Sequence, residues 1–251
     1  MTIRPANETD LADIMKGAAG PLKVTGGGSR PVGNPLDGTV LDMTGLNGVR
    51  LYEPGSLTLV AAAGTGLAEI TSLLDRENQR LAFEPMDHRG LLGSTGESTI
   101  GGVVAANISG PRRIQVGACR DFLLGVRFVD GAGQIIKNGG RVMKNVTGYD
   151  LVKLMAGSFG TLGVLSEVAL KVLPKSETQA SLRLQGLDDT RAIAALSAAL
   201  GSPFDVSGAA HLPGRHSLIR LEGFTDSVAY RAAQLEALLA RFGPVDIITD
   251  A

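Results

Sequence analysis

Three separated stretches of this chain are built from residues that leave the backbone bare. The first is Thr25-Gly26-Gly27-Gly28-Ser29-Arg30. Ordering consecutive glycines costs backbone entropy, and their useful property is to present successive N–H groups while a bulky ligand comes close. Such a nest of donors suits a pyrophosphate, to which Arg30 could add a cationic donor. A merely flexible surface loop is the competing reading. The second stretch is Ser98-Thr99-Ile100-Gly101-Gly102-Val103-Val104-Ala105-Ala106-Asn107, small and uncharged throughout. A helix beginning at Gly101-Gly102 would aim free N–H groups at an anion, and the alanines would let it lie against a flat cofactor. Close packing of backbone on backbone would use the same residues. The third stretch is Lys144-Asn145-Val146-Thr147-Gly148-Tyr149-Asp150, followed by Gly157-Ser158-Phe159-Gly160-Thr161-Leu162-Gly163 and a strand opening at Val164. Separated glycine loops suit a long cofactor lying across them, and no Gly-x-x-x-x-Gly-Lys-Ser/Thr run occurs.

A fourth glycine pair points elsewhere. Leu59–Ala63 reads as a strand running into Gly64-Thr65-Gly66 and then a helix, the start of a dinucleotide fingerprint. That fingerprint wants glycine or alanine at position 69, where this chain has Glu69, an anion beside the expected pyrophosphate. A tight strand-to-helix turn is the better account. Among polar candidates, His88 is the one histidine in the loop-rich region, while His211 and His216 flank Pro213-Gly214 in a turn and are expected to face solvent. Arg112-Arg113 could bind a carboxylate, cofactor phosphates or a partner subunit. Tyr149 and Asp150 suit a helix start, where Asp150 is favourable near the positive end of the dipole. Cys119 is read as a small buried side chain.

The elements that must position these residues follow from periodicity. The chain has 251 residues, 44% hydrophobic and 20% charged, enough for a real core and too apolar for a disordered chain. Its 34 glycines cluster rather than fall every third residue, which excludes collagen. A net charge of −1 argues against nucleic-acid binding by general electrostatics. One cysteine and three histidines exclude a disulfide framework and make a cysteine- or histidine-rich metal centre improbable on composition. No signal-like start and no transmembrane run are present. Helices are expected over 8–18, 67–78, 149–156, 189–200 and 227–242. Strands are expected over 22–25, 40–42, 49–52, 57–63, 122–130, 134–137, 164–173, 181–185, 205–209, 217–222 and 245–249. Residues 84–118 read as extended loops. Ile193, Leu196 and Leu200 are expected inward on one helix and Val164, Val168, Leu170 and Val172 on one strand face. From residue 180 the order strand–helix–strand–strand–helix–strand resembles a split βαβ unit, which places a boundary near 174–180.

The glycine motifs resemble the FAD-binding domain of the vanillyl-alcohol oxidase and p-cresol methylhydroxylase type. More narrowly they resemble the smaller flavin subunits of bacterial glycolate oxidases. The matching text is Thr99–Asn107, Ser109-Gly110-Pro111-Arg112-Arg113, Arg120-Asp121, Leu124-Gly125-Val126, Gly139–Asp150, Gly157–Val164 and Leu170-Lys171-Val172-Leu173-Pro174. The resemblance implies an α+β fold: a two-part FAD-binding domain over 1–175, then a partial ferredoxin-like cap domain over 180–251. It implies that Thr25, Gly26, Gly27, Gly28, Ser29 and Arg30 form the first pyrophosphate loop and that Ser98, Thr99, Gly101, Gly102, Ala105 and Asn107 form the second. Gly160, Gly163 and Val164 would lie near the adenine-side wall. Some relatives attach the flavin through a histidine in the first loop; residues 26–34 have none, so FAD is expected to be non-covalent.

The activity implied is that of a complex oxidising glycolate to glyoxylate, this chain being an FAD subunit beside a larger FAD-containing subunit. An iron–sulfur subunit would carry electrons toward quinone. The setting implied is cytoplasmic, peripheral to the inner membrane through the complex. Oxidising a 2-hydroxy acid needs a base for the hydroxyl proton, a cation for the carboxylate and a flavin to accept hydride. No persuasive catalytic set emerges; His88 is a candidate base. The chain ends short of the cap that relatives carry, either as a shortened form or with an incomplete cap. An independent FAD-dependent 2-hydroxy acid dehydrogenase and a non-catalytic structural subunit are the alternatives. Nicotinamide binding is weakened by Glu69.

Overall fold

In the computed structural model, residues 1–33, 37–141 and 148–249 are described. The motif segment 142–147, with Lys144–Thr147, lies outside them. Two compact units form. The first holds Met1–Gly110 and Ala118–Pro174, and the second holds Pro111–Gly117 with the chain from Lys175 onward.

Two larger sheets organise the first unit, beside a two-stranded pairing of Leu173–Pro174 with Gln79–Arg80. β1 (Thr2–Ile3), β2 (Leu22–Thr25) and β3 (Thr39–Asp42) make a parallel sheet in the order β1-β3-β2. Helix α1 (Glu8–Gly17) starts at Asn7, whose side chain accepts from the Asp10 amide, satisfying one orphan donor of the first turn. The second sheet is antiparallel, built from β4 (Val49–Glu53), β5 (Thr58–Ala62), β6 (Leu123–Val129), β7 (Ile135–Gly139) and β8 (Val164–Lys171). Its order is β4-β5-β8-β6-β7. The β6–β7 hairpin closes on Asp130, whose Oδ1 accepts from the amides of Ala132 and Gln134. Leu11 and Ala12 of α1, Leu41 of β3, Ala62 of β5, Val129 of β6 and Val164 of β8 form one buried cluster joining the two sheets.

Helix α2 (Leu67–Asp75) buries Ile70 and Leu74. α3 (Ile100–Ala105) and α4 (Leu151–Met155) follow. Two expectations change here. The segment 84–118 is not wholly extended: it contains α3 and four-residue helical turns at Arg89–Leu92 and Arg113–Val116. Its glycines hide the helical period because they add no apolar side chain to count. The alternation expected for β8 is absent, since Leu165, Ser166 and Ala169 are buried along with Val164, Val168 and Leu170. The second face buries Leu165 and Ala169 but leaves Glu167 and Lys171 partly exposed, so partial cover on that side blurs the apolar–polar alternation.

The second unit is a βαββαβ arrangement. β9 (Thr178–Gln185), α5 (Asp189–Leu200), β10 (Gly208–Leu212), β11 (His216–Gly223), α6 (Thr225–Leu239) and β12 (Val245–Thr249) follow in sequence. The strands pair antiparallel in the order β10-β11-β9-β12, the ferredoxin-like connection of a split βαβ unit. α6 buries Val228, Ala232, Leu235 and Leu239 as its period predicts. On α5 the buried set is Ala192, Ala195, Leu196 and Ala199, whereas Ile193 is 59% exposed and Leu200 46%. Two frames of the same helix carry apolar residues at i, i+3 and i+7; the alanine frame wins because it lets the helix lie close on the sheet.

Pro111–Gly117 is the one segment that the sequence pattern places in the first domain and the structure groups with the second. Its anchor is Arg112, 7% exposed, whose guanidinium pairs with the buried carboxylate of Glu222 on β11. Pro111 also lies against Gly208, where an added Cβ would come within 3.2 Å of the proline ring.

Candidate cofactor-binding site

The Gly26–Arg30 loop leaves β2 and runs directly against residues 94–99. An added Cβ at Gly26 would sit 2.3 Å from Thr99 Oγ1, one at Gly27 2.1 Å from the Glu97 carbonyl, and one at Gly96 2.1 Å from the Gly27 carbonyl. Gly28, at φ +76°, forms a parallel bridge with Glu97, and Ser94 Oγ donates to the Ser29 carbonyl at 2.6 Å. Glycine is thus required at 27 and 96 by backbone approach and at 26 by the Thr99 side chain, and the first loop is a fixed element rather than a loose one. Among the described residues no carbonyl accepts from the amides of Gly26 or Gly27.

Arg30 closes the arrangement. Its Nη2 donates to Ser98 Oγ at 2.8 Å and its Nε to His88 Nδ1 at 3.2 Å. The same His88 Nδ1 also lies 3.1 Å from the Met86 carbonyl, so the guanidinium and that carbonyl share one ring nitrogen. Burial pulls the Arg30 pKa below its ordinary value, opposed by the nearby Asp87 carboxylate, and a guanidinium remains charged regardless.

Helix α3 is capped by Thr99, whose Oγ1 accepts from the Gly102 amide. The amides at its start do not point free at a ligand as the sequence suggests. Ile100 N donates to the Thr65 carbonyl, Gly101 N to Ala63 and Val103 N to Thr99. Gly101 is there because a Cβ would meet Ala63 Cβ and its carbonyl at 2.6 Å. Gly102 differs: an added Cβ would approach only Thr99 Oγ1 at 3.2 Å and Arg30 Nη1 at 4.0 Å. Its open face therefore lies beside the Arg30 guanidinium. The Gly64-Thr65-Gly66 turn is tied into the same knot, with Leu67 N donating to the Ser98 carbonyl and a Cβ at Gly64 only 2.1 Å from the Met43 carbonyl.

The third loop joins from the other end of α3. Asn107 adopts φ +49°, and its Oδ1 accepts from the Arg120 amide at 3.0 Å. Gly157 N donates to the Val104 carbonyl and Phe159 N to the Ala105 carbonyl. A Cβ at Gly160 would touch Val24 of β2 at 3.5 Å. Gly163 packs against Phe128. Thr25, Ser98, Ala105 and Gly160 therefore gather in one region of the first unit, with Phe159 and Leu162 exposed at its margin. Val164 is different: it is 1% exposed in the core beneath α1, so its side chain is not available at a surface.

Several polar candidates are spoken for. Arg112 is buried against Glu222, which removes it as a ligand for a carboxylate or phosphate; Arg113 stays exposed. His211 does not face solvent: its Nδ1 lies 2.9 Å from Ser217 Oγ and its Nε2 3.1 Å from Asp189 Oδ1, tying β10 to the start of α5. Ser217 is fully buried, so this trio is structural. Asp150 caps α4 by accepting from Lys153 N. Burial, with Asp121 adding to it, pushes the Cys119 thiol up to about 12.

The profile of the FAD binding domain matches residues 1–139. Glycolate oxidase subunit GlcE of Escherichia coli K12 is 40% identical over 209 residues, 83% of this chain and 57% of that protein. A D-lactate dehydrogenase of Anaerostipes hadrus is 33% identical over 158 residues, 62% of this chain and 30% of that protein. Among solved structures, an alkyldihydroxyacetonephosphate synthase superposes with a TM-score of 0.75 at 17% identity, over 99% of this chain and 51% of its own, a likeness of fold. The chain spans little more than half the length of the glycolate oxidase subunit, and less of the dehydrogenase.

Proposed function

Because the chain belongs to the FAD binding domain family, we propose that it is the FAD-carrying subunit of a complex oxidising glycolate to glyoxylate. The observation that carries the cofactor half is the cradle beside Arg30: open Cα faces at Gly28 and Gly102 against a half-buried guanidinium. The complex half rests on the 40% identity to a protein named as a glycolate oxidase subunit.

The residues fit the pyrophosphate of FAD. Arg30 would hold it as a charged donor fixed by Ser98 and His88, with the amides of Gly26 and Gly27 beside it. Bound FAD would supply the hydride acceptor. His88 is engaged with Arg30 and acts here as a positioning residue rather than as the base. A larger FAD subunit and an iron–sulfur subunit complete the proposed complex, located at the inner membrane through those partners; no described helix is long and apolar enough to cross a membrane.

The test is the absorbance spectrum of the purified chain, with acid release of any bound cofactor. Flavin bands with about one FAD released per chain are expected, together with bleaching by glycolate once the partner subunits are added. A folded, colourless chain that takes up no added FAD would sink the reading. Bleaching by D-lactate and not glycolate would redirect it to the second relative's substrate.

A further inference from the structure

The concave face of the five-stranded sheet holds a pocket of about 360 Å³, apart from the glycine loops, lined from both sheet edges. Its floor is one transverse row of the ladder: Leu51 pairs with Val60, Val60 with Ala169, Ala169 with Gly125 and Gly125 with Gly139. Side chains shrink along that row to nothing, which opens a trough. The chain then folds back over it. Gly139 adopts φ +70°, and an added Cβ on Gly125 would stand 2.6 Å from the Gly140 carbonyl. Arg141, beyond β7, reaches Glu53 at the end of β4 at 3.8 Å, so the two edges of the sheet meet over one concavity.

The walls are cationic. Arg50, Arg127, Lys137 and Arg141 line the pocket, against the single carboxylate of Glu167. Arg127 is committed to Glu8 and Arg141 to Glu53. Arg50 and Lys137 make no ion pair among the described residues. Arg50 is the odd residue of the irregularity between Val49 and Leu51 in the β4–β5 ladder, and such a bulge re-aims a side chain out of the regular alternation. A small apolar floor with cations at its rim suits an organic body bearing negative charge at its edge, and the volume falls in the range of small-ligand sites.

We infer that this trough is a second binding site, for an organic anion of about mononucleotide size, separate from the cofactor cradle. It does not depend on the proposed activity. The probe is anilinonaphthalene sulfonate, titrated by fluorescence into the full chain loaded with FAD, with adenosine monophosphate as competitor. One saturable site per chain is expected, weakened by salt and displaced by the nucleotide. Gly140→Leu should abolish it, because a Cβ at Gly140 meets nothing within 4 Å and the side chain can enter the trough without disturbing the fold. The double reversal Arg50→Glu, Lys137→Glu should weaken it by about tenfold or more. Both variants should keep wild-type FAD content, whereas Arg30→Ala should lose FAD and keep the probe site, so failure at one site is distinguishable from failure at the other. Equal probe affinity in the wild type and both trough variants, or no saturable site at all, overturns the inference. So does probe binding that the nucleotide leaves untouched but the assembled partner subunits exclude, which would assign the trough to an acidic segment of a partner.

Discussion

The Arg30 guanidinium donates to Ser98 Oγ at 2.8 Å across 68 residues of sequence. That bond joins the two glycine loops where a cation and an open glycine face stand together, since a Cβ added at Gly102 would lie 4.0 Å from Nη1 of the same guanidinium. The other bonds that hold these loops, Ser94 Oγ to the Ser29 carbonyl and Leu67 N to the Ser98 carbonyl among them, carry no charge, so the proposed pyrophosphate site rests on this side chain.

Arg30→Gln is therefore expected to weaken FAD binding by about 10- to 150-fold, the size of a hydrogen bond to a charged group. Thermal stability should change little, because the guanidinium is half-buried rather than enclosed. Ser98→Ala should weaken binding in the same direction and by less. Titration of the apo chain with FAD by flavin fluorescence reads both; unchanged affinity in Arg30→Gln would remove it from the site.

Two adjacent glycines should separate structure from ligand. Gly101→Ala forces a Cβ to within 2.6 Å of Ala63, and such overpacking costs about 1–3 kcal/mol. Its melting temperature should fall. Gly102→Ala meets only a hydroxyl at 3.2 Å, so it should fold with near-normal melting temperature and lose FAD affinity. Equal loss of melting temperature in both variants would place Gly102 in the fold rather than at the ligand.

Glu222 is the buried carboxylate shared by Arg112 and, at 3.7 Å, by Arg220. Glu222→Gln leaves buried positive charge without its counter-ion, a loss of about 3–5 kcal/mol. Urea denaturation followed by a probe in the second unit should show the midpoint falling there. A midpoint unchanged from wild type would mean that Pro111–Gly117 is held by packing alone.

Acid stability should depend on Glu8. Burial alone would raise its pKa, but hydrogen bonds from Arg127 and Ser166 outweigh it and the net shift is downward from 4.5. A carboxyl with a depressed folded pKa stabilises fully above its unfolded value, and that contribution disappears as pH falls through the folded pKa. The wild type should thus lose stability progressively below about pH 4.5, and Glu8→Gln should be less stable at neutral pH with a flatter decline on acidification. Thermal melts between neutral pH and pH 3 measure this; parallel curves would exclude Glu8 as the titrating group.

Much of this protein is legible in its amino-acid order, because the relevant signals are local. Asn7, Thr99, Asp150 and Asp188 cap helices from within three residues of the amides they satisfy. The 3.6-residue period of α6 and the turn at Asp130 likewise need nothing distant, and the proposed cofactor loops stand out by their runs of glycine and small residues.

Tertiary structure decided what depends on partners far along the chain. Whether the amides of Ile100 and Gly101 are free or consumed is settled by Thr65 and Ala63, whose carbonyls arrive from another strand's turn. Two helical frames of α5 carry apolar residues in sequence, the frame of Ile193 and Leu200 the more hydrophobic, and only contact with a sheet chose the alanines. Arg112 reads as a surface cation until Glu222, 110 residues later, buries it. The trough of Gly125, Gly139 and Ala169 exists only because three separate strands align their smallest residues in one register. Periodicity records which way a residue faces along its own element; charge pairing, backbone approach and register are properties of two segments at once.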